Sequence, residues 1–226
     1  MKRFVCLLTW ILVTSGWPMA TQQLAAAQQP QPADIRIDHD VEAQNWRVRD
    51  IFLYLLHGTG LHGGFAEITG CSDLSKGRFQ IKQGVTVRQA MNALVAANPG
   101  YKWELNGGVV NLIPRGDAPL LQTRITKFQK DATDQEILVV IGDVLDLPEV
   151  RERAAALGLK PGMGGIGLFA GENHPIPRQP VPVHINVQNL SLQEALNKIV
   201  QASPNAAWIY HETDCDGAKT FVVEMR

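Results

Sequence analysis

Apolar residues recur along this chain at two spacings, and the switch between them predicts its elements. In 85–103 the apolar side chains fall at i, i+3, i+4, i+7 and i+8, as Val87, Ala90, Met91, Leu94 and Val95. In 190–208 they do so again, as Leu192, Ala195, Leu196, Ile199 and Val200. That spacing is one buried face of a helix. Thr86 with Gln89, and Ser191 with Glu194, stand where a capping box satisfies the first N–H groups of each helix. Each helix stops at a proline turn, Asn98-Pro99-Gly100 or Ser203-Pro204-Asn205. An alternating strand precedes each one, through Phe79 and Ile81 or through Val183, Ile185 and Val187. A hairpin follows each. In the first, 101–105 turns at Asn106-Gly107-Gly108 into 109–113; in the second, 207–211 turns through 214–217 into 220–225. A further helix precedes each module. Val48, Ile51, Phe52, Leu55 and Leu56 share a face ending at Gly58, and Ile137, Leu138, Ile141 and Leu145 do likewise behind a third capping box at Thr133 and Glu136.

The two modules are related residue by residue. With a shift of 105, 85–103 and 190–208 are identical at Ala90/Ala195, Asn92/Asn197, Val95/Val200, Ala97/Ala202, Pro99/Pro204 and Trp103/Trp208. The expected fold class is therefore α+β, with two tandem β-α-β-α-β-β units, each a small mixed sheet with two helices packed on one face. The first unit is placed at 35–115 and the second at 120–226, the second carrying a Gly/Pro-rich insertion at 158–182.

The N-terminus changes the picture from cytosolic to exported. Lys2 and Arg3 precede a ten-residue apolar run at 4–13, broken by Gly16 and Pro18, with small residues at Ala25-Ala26-Ala27. A secretory signal is expected over 1–27, with cleavage after Ala27 preferred and Ala20 as the alternative, followed by a solvated linker at 28–34. Ten residues rising about 1.5 Å each cannot span about 30 Å of hydrocarbon, and later apolar runs are also too short, so the mature chain is not expected to be an integral membrane protein. Loss of Lys2 and Arg3 with the leader takes the net charge from −1 to −3, and no basic block occurs anywhere. Nucleic-acid binding is excluded on that ground. Two cysteines remain, Cys71 and Cys215, and an oxidising compartment permits either a disulfide between them or two separate thiols.

The candidate chemistry is sparse. Gly162, Gly164 and Gly167 fit G-x-G-x-x-G, but Pro161 before and Gly171, Pro175 and Pro177 after leave no helix to receive a pyrophosphate, so no cofactor is expected. Met163, Ile166, Leu168 and Phe169 place apolar side chains on this insertion and form the candidate partner-contact loop. His57 and His62, and Glu172, His174 and His184, lack metal-ligand spacing, so no metal is expected. No G-x-S-x-G and no C-x-x-C occurs, and no catalytic residue is assigned. Trp46, Trp103 and Trp208 raise carbohydrate stacking, but the equivalent repeat positions of the last two argue for core packing.

The Arg-Val-Arg-Asp-Ile-Phe-Leu helix start at 47–53, the Gly-Thr-Gly-Leu turn at 58–61, the Gly-Val-Thr-Val-Arg-Gln-Ala-Met helix at 84–91 and the Trp-Glu-Leu-Asn-Gly-Gly-Val-Val hairpin at 103–110 together resemble the secretin and TonB N-terminal short domain. The likeness covers about 42–113 and, more loosely, 123–225. It implies a periplasmic contact domain with no catalytic residues to carry over. The expectation is an exported, non-catalytic interaction module of the cell envelope, periplasmic or secreted, that meets an envelope or periplasmic protein. The alternatives are an exported small-ligand or glycan binder using the groove between the copies, and an exported enzyme whose constellation assembles only in three dimensions.

Overall fold

The first half of the chain forms β1 (Val41–Arg47), α1 (Val48–Leu56), β2 (His62–Gly70), β3 (Lys76–Ile81), α2 (Val87–Ala97), β4 (Tyr101–Asn106) and β5 (Val109–Pro114). The second forms β6 (Arg124–Thr133), α3 (Ile137–Leu145), α4 (Pro148–Ala156), β7 (Leu159–Pro161), β8 (Pro182–Ser191), α5 (Leu192–Val200), β9 (Ala207–Cys215) and β10 (Ala218–Met225). These elements come from a computed structural model that describes residues 32–71, 76–162, 179–204 and 206–226. The expected leader at 1–27, most of the 28–34 linker and most of the 158–182 insertion lie outside them. The end of that linker is a 3-10 turn, Pro32–Asp34, with Ala33 fully buried rather than solvated.

The class is α+β, but the element order departs from the expected one: each half carries two strands between its first and last helices, and the second half adds α4. β2 went unread because it opens on His62-Gly63-Gly64, and glycine has poor strand propensity. These glycines are there for space. A Cβ on Gly64 would overlap Asn111 Oδ1 and the Trp208 ring, and one on Gly63 would crowd the Leu56 side chain at 2.8 Å.

The helix starts follow the capping residues. The side chains of Thr86 and Ser191 accept from the N–H groups of Gln89 and Glu194, both at 3.2 Å, and the Gln89 and Glu194 side chains accept from the cap N–H groups in return. The third box forms only in part. Glu136 accepts from the N–H and hydroxyl of Thr133, both at 2.8 Å, but an intervening turn delays the helix to Ile137. Every expected face residue of α1 and α5 is buried, as are Val87, Ala90, Met91 and Leu94 of α2. In α3 the buried stripe is Ile137, Val140, Ile141 and Val144; Leu138 and Leu145 are only half-buried. Apart from Gly142 and Asp143 its residues are all apolar, so periodicity alone does not choose the stripe.

β1 pairs antiparallel with β3, and β6 with β8, as two separate two-stranded ribbons. The remaining strands form one six-stranded sheet in the order β4-β5-β2-β9-β10-β7. Within it, β4–β5 is antiparallel and β5–β2 parallel; β9–β10 is likewise antiparallel and β10–β7 parallel. The parallel pair β2–β9 joins the two sets, so the expected pair of separate small sheets is corrected to one shared sheet. In each half the helices touch both a ribbon and this sheet, which corrects the expectation of packing on one face alone.

Both faces of the sheet are consequently buried. Phe65, Val110, Leu112 and Ile209 join the core around α1 and α2. Their neighbours Ala66, Val109, Ile113, Trp208 and Tyr210 join the core around α3 and α5. Alternate residues of one strand therefore serve opposite cores, as the period-2 geometry requires. The hairpins close on two-residue turns, Gly107-Gly108 and Asp216-Gly217, all four residues with positive φ. The second turn falls within the expected 214–217, narrowed to its last two residues because β9 continues to Cys215 and Asp-Gly suits the tightest turn.

Replacing Gly64 by alanine should destabilise the fold by about 1–3 kcal/mol, since the added methyl meets packed side chains that have nowhere to go. Equilibrium urea unfolding measures this, and an unchanged midpoint would exclude the close approach. Glu194 gives a pH-dependent test. The Ser191 backbone N–H, and then its hydroxyl, hold the Glu194 carboxyl below its ordinary pKa. The stability this contributes is present above the ordinary glutamate range and is lost as pH falls through the depressed value. Glu194→Gln should therefore be less stable than the parent at neutral pH by about 0.3–1 kcal/mol, and the gap should close in acid.

Candidate functional site

The junction between the halves carries two buried acids, Glu67 and Glu212. Along the parallel β2–β9 pair, Phe65 lies beside Ile209, Ala66 beside Tyr210, Glu67 beside His211, Ile68 beside Glu212 and Thr69 beside Thr213. Glu67 is almost fully buried, and His211 Nδ1 lies 2.8 Å from its Oε1. On its other side, His211 Nε2 meets Thr213 Oγ1 at 2.7 Å and Thr69 Oγ1 at 3.2 Å. Tyr210 and Glu212 project to the opposite face, where the phenol donates to Glu212 Oε2 at 2.7 Å. Burial, reinforced by that carboxylate, pushes the Tyr210 phenol far above its ordinary pKa, so it remains a donor.

Cys71 and Cys215 close this ladder. They follow the last paired residues, Gly70 and Asp214, and their Cα atoms are 4.8 Å apart with the sulfurs at disulfide distance. The candidate disulfide residues are thus brought together from a separation of 144 positions. The bond would staple the halves where their shared sheet ends.

The hydroxyl–imidazole–carboxylate series Thr213–His211–Glu67 has the connectivity of a base-activated nucleophile. Its surroundings favour a structural role. β9 is flanked by β2 and β10, so its N–H groups are bonded to neighbouring strands and are not turned toward a developing oxyanion. Among the described residues no group of three or more His, Cys, Asp or Glu side chains converges as metal ligands. His184 pairs with Asp131 at 2.5 Å, and His39 with Asp38 at 2.7 Å. His62 is held below its ordinary pKa by burial.

Two of the molecule's concave surfaces lie beside β4 and beside β7. A polar cleft of about 450 Å³ lies between β4 and the start of α5, lined among others by Lys102, Glu104, Arg124 and Gln193. In it the Gln193 amide donates to Glu104 at 2.7 Å. A more apolar hollow of about 530 Å³ lies beside Leu145, Leu159, Gly162 and Phe221, where β7 leads toward the insertion. The candidate contact residues Met163, Ile166, Leu168 and Phe169 lie outside the described residues. Trp208 is fully buried and donates its indole N–H to Asn197 at 2.7 Å; half-buried Trp103 donates to Asn92 at 2.8 Å. Trp46 remains partly exposed, edge-on to Tyr54.

The Glu67–His211 pair is the feature that sequence reading missed. Nothing in the local pattern around either residue indicates that the two strands are neighbours, and β2 itself was unread. No family model matches the chain, and neither a curated protein nor a solved structure matches it.

Replacing both Cys71 and Cys215 by serine should lower stability by about 2–5 kcal/mol under oxidising conditions. Reductant should destabilise the parent to the same degree and leave the serine variant unmoved, as read by guanidinium unfolding.

Proposed function

We propose that the protein is an exported, non-catalytic contact module of the cell envelope, built from two tandem copies of a unit resembling the secretin and TonB N-terminal short domain. The observation that carries this reading is the recurrence of one local device in both halves. A capping box opens a helix, and an asparagine on that helix accepts the indole N–H of a tryptophan eleven positions later on the next strand. The strand order β4-β5-β2 and its counterpart β9-β10-β7 support the same reading. A composition without a basic block and a cysteine pair at disulfide distance suit a protein exposed to an oxidising compartment. Among the described residues no helix is long and apolar enough to cross a membrane.

In this role the packed sheet is a scaffold, and recognition falls to its edges and connecting segments. The buried polar residues of the β2–β9 junction then serve to keep the two units in register. An envelope protein of the secretion or receptor machinery is the expected partner class.

Crosslinking in the native envelope followed by affinity capture of the protein tests the proposal. Recovery of one membrane-complex component, lost when the surface of either unit is altered but the fold is kept, is the expected result. Capture of no envelope protein above the level of an unrelated exported control would overturn it.

A further inference from the structure

The six-stranded sheet ends differently on its two sides. β7 has three residues, finishes at Pro161 and carries Lys160, the features by which natural sheets blunt an edge. β4 is a six-residue edge strand with no proline. Its backbone orientation follows from the turn below it. The Arg115 N–H donates to the Gly100 carbonyl at 2.8 Å, and in the β4–β5 register this alternation turns Lys102, Glu104 and Asn106 toward β5. The N–H and C=O groups of Trp103 and Leu105 consequently point away from the sheet.

We propose that this edge pairs antiparallel with the same edge of a second copy of the chain, about a twofold axis at Trp103. The side chains of β4 are self-complementary in that register. Lys102 of each copy stands opposite Glu104 of the other, giving two opposite-charge cross-strand pairs on one face. Tyr101 stands opposite Leu105 and Trp103 opposite Trp103 on the other face, where all three already pack on the first core. The contact is isologous, so it closes at two copies instead of growing into a filament. Moving the twofold axis by one residue, a register slip of two, places Glu104 against Glu104, so the charges also select the register.

Two further observations fit this occupant. Gln193 holds the Glu104 carboxylate by one oxygen, and Lys102 is exposed with no ion-pair partner among the described residues. The pair is therefore half-built in the single chain, and the second copy supplies the missing charge to each. Across the interface the Trp103 groups exchange two backbone hydrogen bonds. The association does not depend on which envelope protein the module meets.

Sedimentation equilibrium of the chain lacking residues 1–27 tests the proposal. The parent should shift from monomer to dimer with concentration. Lys102→Glu should be monomeric because each new glutamate faces Glu104, and its melting temperature should match the parent's at concentrations where the parent is also monomeric. Glu104→Lys should be monomeric for the converse reason, and an equimolar mixture of the two variants should form a heterodimer, since opposite charges again face each other. If Glu104→Lys melts early through loss of the Gln193 contact, the parent and Lys102→Glu decide the matter. A parent that stays monomeric at submillimolar concentration, or a dimer that survives Lys102→Glu, would overturn the pairing.

Discussion

The parallel pairing of β2 with β9 is the contact on which the rest of the molecule depends, because it converts two sets of three strands into one sheet with two buried faces. Parallel neighbours project paired residues to the same side, so the alternation along this seam feeds both cores at once: Phe65 with Ile209 to one, Ala66 with Tyr210 to the other. The Trp208 ring comes close enough to require glycine at 64. Beyond that glycine the seam turns polar, and the buried Glu67 side chain is hydrogen-bonded to His211. At its end the two cysteines meet.

The halves bring the same local devices to this seam with different degrees of burial. Trp208 lies inside the shared sheet and is fully covered, whereas Trp103 sits on the edge strand and is half-covered, although each donates to an asparagine on its own helix. The difference arises from strand order, which places β9 in the middle of the sheet and β4 at its rim. One device thus performs two tasks. In the centre it seals a core, and at the rim it leaves an aromatic strand edge beside a polar cleft.

The chemistry at the junction is consistent with scaffolding. The Thr213–His211–Glu67 series lies within strands whose backbone groups are engaged on both sides, and Tyr210 is held as a neutral donor by burial. These groups satisfy one another, which is what buried polar atoms in a sheet interior require.

Helix faces, capping boxes and hairpin turns were legible from the residues because each is decided within a few positions of the chain. Thr86 finds Gln89, Ser191 finds Glu194, and Leu94 or Ile199 falls on a stripe that periodicity alone defines. The stripe of α3 was less legible, since a helix whose single charged residue is Asp143 has no continuous polar face to orient it. The tertiary structure alone decided that β2 exists as a strand, that it lies beside β9, and that Glu67 therefore meets His211. The physical reason is that strand pairing joins residues about 140 positions apart through backbone groups every residue possesses, so its partner choice leaves no mark in local sequence. The cysteines were the exception: their chemistry made them candidates for each other, and only the register of that distant pairing brought them together.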